Sequence, residues 1–418
     1  MTLSELKGKR ILIFGFGREG RAAFEALKKQ LPEAHMDVVD DRGADGTTMS
    51  IEEALVVASE EMVVVRSPGV PLDNKNLVQL KNAGATVTTG MNIFFAQRKG
   101  RGTLIGVTGS KGKSTTCAML AHVLKEAGQP VQLVGNIGEP AIKHLDDPDD
   151  TVFVVELSSY QLEDLEVGPD IGVILNLFEG HQDHHRSTGE YWQAKLRLGA
   201  LAKTLVYNEA FEPLKQVASK HTHAIALPEV QDELSEHLQI TGEHFAQNAR
   251  AVVAVARELG IPDAQTFTAL ESFYGLPHRL ENVGTYKGIT FIDDSISTIP
   301  ESAIAAMNAF QDRLGAIILG GKDEGGDMEL LAGHLKTLAD VIVYVLPGGT
   351  RIKEALGKYG IDYQSVETIE KAVQDVYTRL EEGDVCLLSP SATSYDQFKN
   401  FEERGEKFAA WAKKYGES

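Results

Sequence analysis

One glycine-rich turn constrains the fold of this chain more than any other feature of its sequence. The apolar run Thr103–Thr108 predicts a buried strand, and residues 114–127 have the periodicity of a helix, which Gly128 ends. Residues 109–112 therefore carry the chain from a buried strand directly into a helix. Such a turn is typical of parallel α/β domains. Its backbone N–H groups and the positive end of the helix dipole predict a phosphate-binding site.

The residues of this turn favour a nucleoside triphosphate as the ligand. Residues 108–116 read Thr-Gly-Ser-Lys-Gly-Lys-Ser-Thr-Thr, which fits the short P-loop form Gly-x-x-Gly-Lys-Ser, because Val107 stands where a strict Walker A sequence has glycine. Lys113 would reach the β- and γ-phosphates, and the Ser114 hydroxyl would ligate Mg²⁺. The expected ATP contacts in this loop are Gly109, Ser110, Lys111, Gly112, Lys113, Ser114 and Thr115.

A second turn, Gly-Phe-Gly-Arg-Glu-Gly at residues 15–20, follows the apolar run Arg10–Phe14. Asp40 ends the next strand-like run, about 20 residues further on, where dinucleotide-binding folds have an acid that binds ribose. Taken alone, this spacing indicates a dinucleotide, but the same geometry serves any nucleotide diphosphate. A turn that only packs a helix against a strand is the remaining alternative.

Strand-like apolar runs alternate with helical segments along the chain in three blocks, and residues 275–279 form the junction before the third. This alternation predicts an α/β fold with three domains, which we expect at residues 1–94, 95–276 and 277–418. The first and third domains are expected to be Rossmann-like, and the second to be a P-loop ATPase domain with a parallel sheet. We also expect a terminal helix over residues 395–415.

Composition restricts the partners and the cellular setting. The 418 residues include 41 Lys and Arg and 60 Asp and Glu, and the formal net charge of −19 disfavours nucleic acid and anionic membranes as partners. No run approaches the roughly 20 apolar residues of a membrane span, and residues 1–12 lack the apolar core of a signal peptide. Cys117 and Cys386 lie in unrelated segments, which predicts neither a disulfide framework nor a zinc site. We therefore expect a cytoplasmic protein without membrane insertion.

Three further residues have side chains suited to catalysis. Glu156 ends a predicted strand and is interpreted as a ligand of Mg²⁺ or of its water, or else as a solvated strand end. His181 follows another strand near two other histidines, but no cysteines accompany them, which favours a phosphate- or Mg²⁺-facing histidine over a zinc site. Lys195 lies on a predicted helix and is, by itself, most simply a surface charge.

Two segments of the third block, residues 291–298 and 387–398, each end a strand with acids, hydroxyls or both. Donors at the carboxyl ends of strands suit a carboxylate or phosphate ligand. Ordinary turn chemistry explains the same residues equally well.

The order of these motifs resembles that of the Mur ligase family across essentially the whole chain. The motifs are Thr-Gly-Ser-Lys-Gly-Lys-Ser-Thr at 108–115, Gly-Asn-Ile-Gly at 135–138, Glu-Leu-Ser-Ser-Tyr-Gln at 156–161, Asn176 with His181, Tyr191 with Lys195, Leu-Pro-His-Arg at 276–279, Asp-Asp-Ser at 293–295 and Leu-Ser-Pro-Ser at 388–391. The resemblance is strongest to the branch that joins glutamate to UDP-N-acetylmuramoyl-L-alanine in peptidoglycan precursor synthesis. It implies that the three domains bind UDP, ATP and the amino acid, in that order.

The resemblance also implies roles for residues at matching positions. The catalytic and metal-binding residues would be Lys113, Ser114, Glu156, His181 and Lys195. Lys195 would be carbamylated by CO₂ and become an anionic ligand for one of two Mg²⁺ ions. ATP would also contact Asn248, Arg279 and Asp294. The UDP-sugar site would comprise Gly17, Arg18, Glu19, Asp40, Asp41, Arg42, Gly69 and Asn136, and the glutamate pocket Thr298, Lys322, Ser394, Tyr395 and Phe401.

The reaction that the resemblance implies is carboxylate activation by ATP. The substrate carboxylate attacks the γ-phosphate, the resulting acyl phosphate is attacked by the glutamate amine, and phosphate leaves. Closure of the domains would exclude water, which otherwise hydrolyses the acyl phosphate. We expect the enzyme to act as a monomer.

Three positions depart from the pattern of this branch. Ile296 stands where lysine is usual, and Glu324 stands where lysine or arginine is usual. Phe245 replaces an asparagine that usually lies near adenine. Lys322 is a candidate for the missing cation of the glutamate pocket. D-glutamate is the expected substrate because it is the commoner one. L-glutamate is the alternative, since the sequences of residues 17–21 and 294–298 resemble those of a variant that adds it.

Three other functions are compatible with parts of the sequence. A folate polyglutamylating ligase shares the P-loop but lacks a leading UDP-binding domain. A Rossmann oxidoreductase would use the turn at residues 15–20 and leave the P-loop unexplained. A non-catalytic nucleotide-binding protein would be expected to have lost Lys113, Glu156 or Lys195, and all three are present.

Overall fold

The structure, a computed structural model, describes residues 1–41, 43–178, 188–230, 234, 243–273, 275–322, 326–338 and 340–417. The chain forms two compact units, Met1–Phe273 and Tyr274–Ser418. The first unit contains two parallel sheets and the second contains one mixed sheet. This arrangement confirms the predicted α/β architecture. Within the described residues, no helix is both long enough and apolar enough to span a bilayer.

Most strands are short and buried. In chain order they are β1 (Arg10–Phe14), β2 (Met36–Val39), β3 (Met62–Arg66), β4 (Thr86–Thr89), β5 (Thr103–Thr108), β6 (Val131–Gly135), β7 (Val152–Glu156), β8 (Ile171–Ile174), β9 (Thr204–Tyr207), β10 (Ala224–Ala226), β11 (Glu281–Tyr286), β12 (Ile289–Asp293), β13 (Leu314–Leu319), β14 (Ile342–Val345), β15 (Gln364–Ser365) and β16 (Val385–Leu388).

The described helices follow most of these strands. They are α1 (Leu3–Leu6), α2 (Arg18–Gln30), α3 (Ile51–Val57), α4 (Lys75–Asn82), α5 (Gly90–Arg98), α6 (Lys113–Glu126), α7 (Ser159–Leu162), α8 (Thr188–Leu201), α9 (Glu212–Ala218), α10 (Glu243–Glu258), α11 (Asp263–Glu271), α12 (Pro300–Phe310), α13 (Met328–Leu335), α14 (Thr350–Tyr359), α15 (Ile369–Arg379) and α16 (Phe401–Gly416). A 3₁₀ helix, Ala141–His144, lies between β6 and β7.

The first sheet has the order β2-β1-β3-β4 with all strands parallel. The side chains on one of its faces belong to a hydrophobic cluster that continues into the second sheet. Phe94 on α5 and Phe153 on β7 pack edge to face within it, with ring centroids 5.3 Å apart. Burying one such ring contributes about 1.5–3 kcal/mol, so the two sheets stabilise each other. They form one unit because they share this core.

The second sheet has the order β10-β9-β8-β5-β7-β6, again with all strands parallel. The connection after β5 leads to β6 on one side of the sheet, and the connection after β8 leads to β9 on the other. The carboxyl ends of β5 and β8 therefore flank a topological switch point, the position at which open α/β sheets bind ligands. The P-loop follows β5 at this point.

The sheet of the second unit has the order β11-β12-β16-β13-β14-β15. Only the edge strand β11 is antiparallel to its neighbour. Separate clusters of apolar side chains cover the two faces. The carboxyl ends of β12, β16 and β13 lie side by side, which brings the loops that follow them to one edge of the sheet.

The terminal helix begins later than the sequence predicts. We expected it over residues 395–415, but α16 begins at Phe401. Asn400 is its N-cap, and its side chain accepts a hydrogen bond from the Glu403 amide, which fixes the start of the helix there. The domain boundaries expected after residues 94 and 276 stay predictions, and residue 94 lies inside α5.

Candidate active site

The P-loop adopts the tight turn that its glycines predict. Gly112 caps α6 with a φ of 82°, a left-handed conformation that glycine adopts without strain. A β-carbon at Gly112 would also overlap the side chain of Asn248 on α10. Asn248 is buried against this turn, so a residue expected to bind ATP lies directly beside the phosphate loop.

Asn176, just after β8, holds the P-loop in place. Its backbone carbonyl accepts a hydrogen bond from the Ser110 amide (3.1 Å), and its side-chain oxygen accepts one from the Lys111 amide (2.9 Å). Its Nδ2 donates to the Lys111 carbonyl (3.1 Å). The sequence motif contained Asn176 but gave it no role. These three contacts assign it the support of the loop across the switch point.

Two lysines converge on one backbone carbonyl. The Nζ atoms of Lys113 and Lys195 each donate to the Gly109 carbonyl oxygen over 3.0 Å, so the two amines lie within about 6 Å of each other. Lys195, on α8, is buried, with its amine over the ring of Tyr191 at 4.5 Å. Burial and the charge of Lys113 lower the pKa of Lys195 to about 7, against the opposing effect of Glu156. The surface position that Lys195 alone suggested is therefore wrong.

Glu156 ends β7 as a buried carboxylate with one oxygen unused. Its Oε1 accepts a hydrogen bond from Asn136 Nδ2 (2.7 Å), whereas its buried Oε2 contacts no hydrogen-bond donor among the described residues. Glu156 pairs with Val107 near the end of β5, the strand that leads into the P-loop, and an unsatisfied buried carboxylate oxygen there is a suitable ligand for Mg²⁺. His181, the other predicted metal-facing residue, lies outside the described residues.

The turn after β1 is braced by the residues around it. Asp40 accepts a hydrogen bond from the Phe16 amide (2.6 Å), and Ser67 Oγ donates to the Gly15 carbonyl (2.6 Å). A β-carbon at Gly20 would overlap the Gly15 carbonyl, so this glycine permits the close approach of α2. At least part of the Asp40 carboxylate therefore holds the turn itself.

The other residues predicted for the UDP-sugar surround this turn. Asp41 accepts hydrogen bonds from the side-chain amides of Asn74 (2.7 Å) and Asn76 (2.9 Å). Glu19 is half-buried, and this burial raises the pKa of its carboxyl. Gly17 and Gly69 are exposed, and Arg42 lies outside the described residues. Arg18 reaches from α2 to the loop after β6, where Asn136 lies.

In the second unit, Asp294 links the loops that follow β12 and β16. Its Oδ2 accepts a hydrogen bond from Ser389 Oγ (2.6 Å), and its Oδ1 accepts one from the Leu280 amide (3.3 Å). Burial raises the pKa of Asp294 to about 6 in spite of these contacts. Arg279, expected beside it on the nucleotide, is exposed.

The residues predicted for the glutamate pocket lie on loops that the sheet brings together. The backbones of Lys322 and Thr393 pair through two hydrogen bonds, of 2.9 and 3.1 Å, which joins the loops after β13 and β16. Ser394 is buried, Thr298 and Phe401 are half-buried, and Lys322 and Tyr395 are exposed. Of the three departures from the family pattern, Ile296 and Phe245 are partly buried and Glu324 lies outside the described residues.

Sequence reasoning missed Arg404, a fully buried arginine on α16. Its guanidinium donates to Ser295 Oγ (2.9 Å) and to the backbone carbonyls of Ser295 (2.7 Å) and Ala392 (3.1 Å). Burial lowers the pKa of Arg404 to about 10, although Asp293 and Asp396 oppose the shift. A charged residue in the polar run Glu-Glu-Arg-Gly-Glu-Lys gives no signal of burial.

Comparison with known proteins identifies relatives along the whole chain. Residues 107–227 match the Mur ligase middle domain, and residues 278–392 match the Mur ligase glutamate ligase domain. A UDP-N-acetylmuramoyl-L-alanine–L-glutamate ligase of Micromonospora sp. is 36% identical over 98% of this chain and 97% of that protein. A UDP-N-acetylmuramoylalanine–D-glutamate ligase of Streptococcus agalactiae is 32% identical over 97% of each. The structure of MurF ligase from Thermotoga maritima in complex with ADP, 17% identical, shares the fold with a TM-score of 0.56, covering 99% of this chain and 96% of that chain.

Proposed function

Because this chain belongs to the Mur ligase family, we propose that it is an ATP-dependent ligase that joins glutamate to UDP-N-acetylmuramoyl-L-alanine in peptidoglycan precursor synthesis. One observation carries the proposal. Lys113, Lys195 and the buried Glu156 converge at the P-loop, where a phosphoryl transfer needs its charges positioned.

The residues fit the groups that such a reaction needs. The Ser114 hydroxyl and the free oxygen of Glu156 would hold Mg²⁺, which when bound neutralises charge on the phosphates. The lowered pKa of Lys195 leaves a large fraction of its amine neutral near pH 7, and only a neutral amine reacts with CO₂. Its carbamate would be an anion beside Lys113, which relieves the repulsion between two close ammonium groups.

The remaining residues of the first unit bind and orient the substrates. Lys113 would leave the Gly109 carbonyl for the β- and γ-phosphates, and the amides of the loop, which Asn176 holds rigid, would cradle them. The turn at residues 15–20 would hold the uridine diphosphate. With both substrates fixed, the substrate carboxylate attacks the γ-phosphate in line and ADP departs.

The residues of the second unit are proposed to bind the incoming amino acid. Thr298, Ser394 and the amide at Phe401 offer donors for the carboxylates of glutamate, and Lys322 offers the cation. The deprotonated amine of glutamate would attack the carbonyl carbon of the acyl phosphate, so that the amide bond forms as the bond to phosphate breaks and phosphate leaves. Arg279 and Asp294 stay proposed contacts of the nucleotide.

Between the two enantiomers of glutamate, we place L-glutamate first. The Micromonospora relative, named for L-glutamate, is 36% identical, whereas the Streptococcus agalactiae relative, named for D-glutamate, is 32% identical. Ile296 also removes a lysine that is usual in the D-glutamate branch. D-glutamate, the substrate expected from the sequence, is the second candidate.

The test is phosphate release from ATP with Mg²⁺ and UDP-N-acetylmuramoyl-L-alanine, with L-glutamate and D-glutamate added in separate reactions. We expect release that depends on the nucleotide acceptor and on L-glutamate. Lys113→Met serves as the inactive control, because it removes the only P-loop side chain expected to reach the γ-phosphate. Release with D-glutamate alone would reverse the choice of enantiomer, and release with neither would reject the proposed ligation.

A further inference from the structure

Arg18, the first residue of α2, reaches out of the first sheet to the loop that follows β6 in the second. Its guanidinium donates hydrogen bonds to three backbone carbonyls of that loop, those of Asn136 (3.2 Å), Gly135 (3.4 Å) and Gly138. Few side chains can satisfy three converging carbonyls at once, and the planar fork of arginine is one that can. The turn at residues 15–20 is therefore tied directly to the loop at residues 135–138.

That loop is closely fitted to the end of β7. The Gly135 amide donates to the Glu139 carbonyl (2.8 Å), and the Asn136 amide donates to the Glu156 carbonyl (3.0 Å). Gly135 and Gly138 have φ values of 106° and 72°. A β-carbon at Gly135 would overlap the Glu156 carbonyl on β7, and one at Gly138 would overlap the Leu133 carbonyl on β6. The loop has little freedom to move without moving Asn136.

Asn136 in turn fixes the carboxylate of Glu156. Its Nδ2 donates to Oε1 over 2.7 Å, which leaves the buried Oε2 as the oxygen that faces no donor among the described residues. The orientation of that oxygen therefore depends on the position of Asn136, and the position of Asn136 depends on Arg18.

We propose that Arg18 is a positioning residue for the divalent cation, acting through the loop at residues 135–138 and Asn136 on Glu156. The inference rests on the proposed function, because the cation site at Glu156 is assigned there.

The test measures cation binding without turnover. Mn²⁺ is titrated into the nucleotide-free protein and followed by electron paramagnetic resonance. Residues that orient a metal ligand typically change affinity by about 10–100-fold when removed. We expect Asn136→Ala to weaken Mn²⁺ binding within that range. Arg18 acts on Glu156 only through Asn136, so we expect Arg18→Ala to weaken Mn²⁺ binding less, by about 3–10-fold. Arg18→Lys should restore only part of the loss, because lysine lacks the planar fork.

Arg21→Ala is the matched control. Arg21 lies on the same helix, but its guanidinium donates to the Asp45 carbonyl and stacks on Phe16, within the first sheet's own domain. We expect this variant to bind Mn²⁺ as the unchanged protein does. The three residues exchanged in these variants, Arg18, Arg21 and Asn136, lie outside the hydrophobic clusters, and circular dichroism would check that each variant is folded.

A double-mutant cycle tests the route of the effect. If Arg18 acts through Asn136, then Arg18→Ala changes Mn²⁺ affinity little in a protein that already carries Asn136→Ala. Additive losses, or an Arg18→Ala protein with unchanged Mn²⁺ affinity, would overturn the inference. A protein with this coupling but no ligation would instead overturn only the proposed function.

Discussion

At the scale of single residues, two effects lower the pKa of the Lys195 amine. Burial disfavours its charged form, and the ammonium of Lys113 repels it, which together bring its pKa from 10.5 to about 7. Because the unfolded chain then binds more protons than the folded one between pH 7 and 10.5, the free energy of unfolding rises with pH across that window. The same pKa shift leaves part of the amine neutral at physiological pH, and the neutral amine is the form that reacts with CO₂.

We predict that Lys195 forms a carbamate whose amount rises with pH through about 7. At a fixed partial pressure of ¹³CO₂, the carbamate resonance in ¹³C NMR should grow between pH 6 and 8 and should be absent in Lys195→Ala. This variant should also lose nearly all ligation activity, and added bicarbonate should not restore it. Lys203→Ala, which removes an exposed lysine just beyond α8, should keep the signal. A resonance that survives in Lys195→Ala, or normal turnover of that variant, would contradict the assignment.

Lys113, Lys195 and Glu156 were predicted from the sequence as members of one candidate site, but the buried residues that hold the loops of the second unit were not. Lys113 follows from the P-loop pattern, and Lys195 and Glu156 follow from the order of motifs. Arg404 gave no such signal, because nothing in a single sequence distinguishes a buried arginine on a polar helix from an exposed one. Its burial arises because α16 packs against two loops, one of which contains Ser295 and is distant in the chain.

At the scale of elements, α16 is held against the sheet of the second unit by a glycine and an arginine. A β-carbon at Gly405 would overlap Asp293 and His278, so glycine lets the helix approach the end of β12, although it costs about 1 kcal/mol in a helix interior. The preceding residue, Arg404, ties the loop after β12 to the loop after β16. Both loops carry residues proposed to bind glutamate.

We predict that Arg404→Met destabilises the second unit by about 2–5 kcal/mol, because it leaves two buried carbonyls without a donor. Urea denaturation would measure the loss. The KM for glutamate should also rise, since both loops depend on the guanidinium. Arg379→Met is the control, because the ion pair of Arg379 with Asp375 is solvent-accessible and its loss should change stability by less than about 1 kcal/mol. Equal stability of the two variants would refute the role of Arg404.

Two polar edge strands were not predicted from the sequence. The central strand β5, by contrast, is mostly apolar and was predicted to the residue. The edge strands β4 and β15 read Thr-Val-Thr-Thr and Gln-Ser, and their polar composition hides them because one side of each faces solvent. The antiparallel direction of β11 depends on its pairing with β12, which no local pattern specifies.

At the scale of the whole molecule, each hydrophobic cluster of the described residues lies within one of the two units. Three clusters belong to the first unit and two to the second. The second unit has apolar side chains on both faces of its sheet, and it is about the size of an ordinary domain. Its core is therefore complete without the rest of the chain.

We predict that a fragment of residues 275–418 folds alone and unfolds cooperatively in urea, with the far-ultraviolet circular dichroism of an α/β protein. A fragment of residues 1–94 is the comparison. It ends inside α5 and lacks the part of its cluster that the second sheet supplies, so its unfolding should be shallow. A non-cooperative transition for residues 275–418 would show that the second unit needs its neighbour to fold.

Helix α5 also bears on how such a protein can change its substrate in evolution. Phe94 and Phe95 on this helix pack into the core that the first two sheets share, and Arg98 at its end donates to the carbonyls of Asp147 (2.6 Å) and Pro148 (2.8 Å). If recombination replaced only the first sheet, with a crossover before this helix, the new sheet would pack against an α5 whose side chains fit the original sheet. We therefore expect exchange of the first sheet to be tolerated only when α5 is exchanged with it and the surface near the 3₁₀ helix changes in step. If the turn at residues 15–20 binds the acceptor as proposed, new acceptor specificities should arise more often by substitution around this turn than by exchange of whole domains.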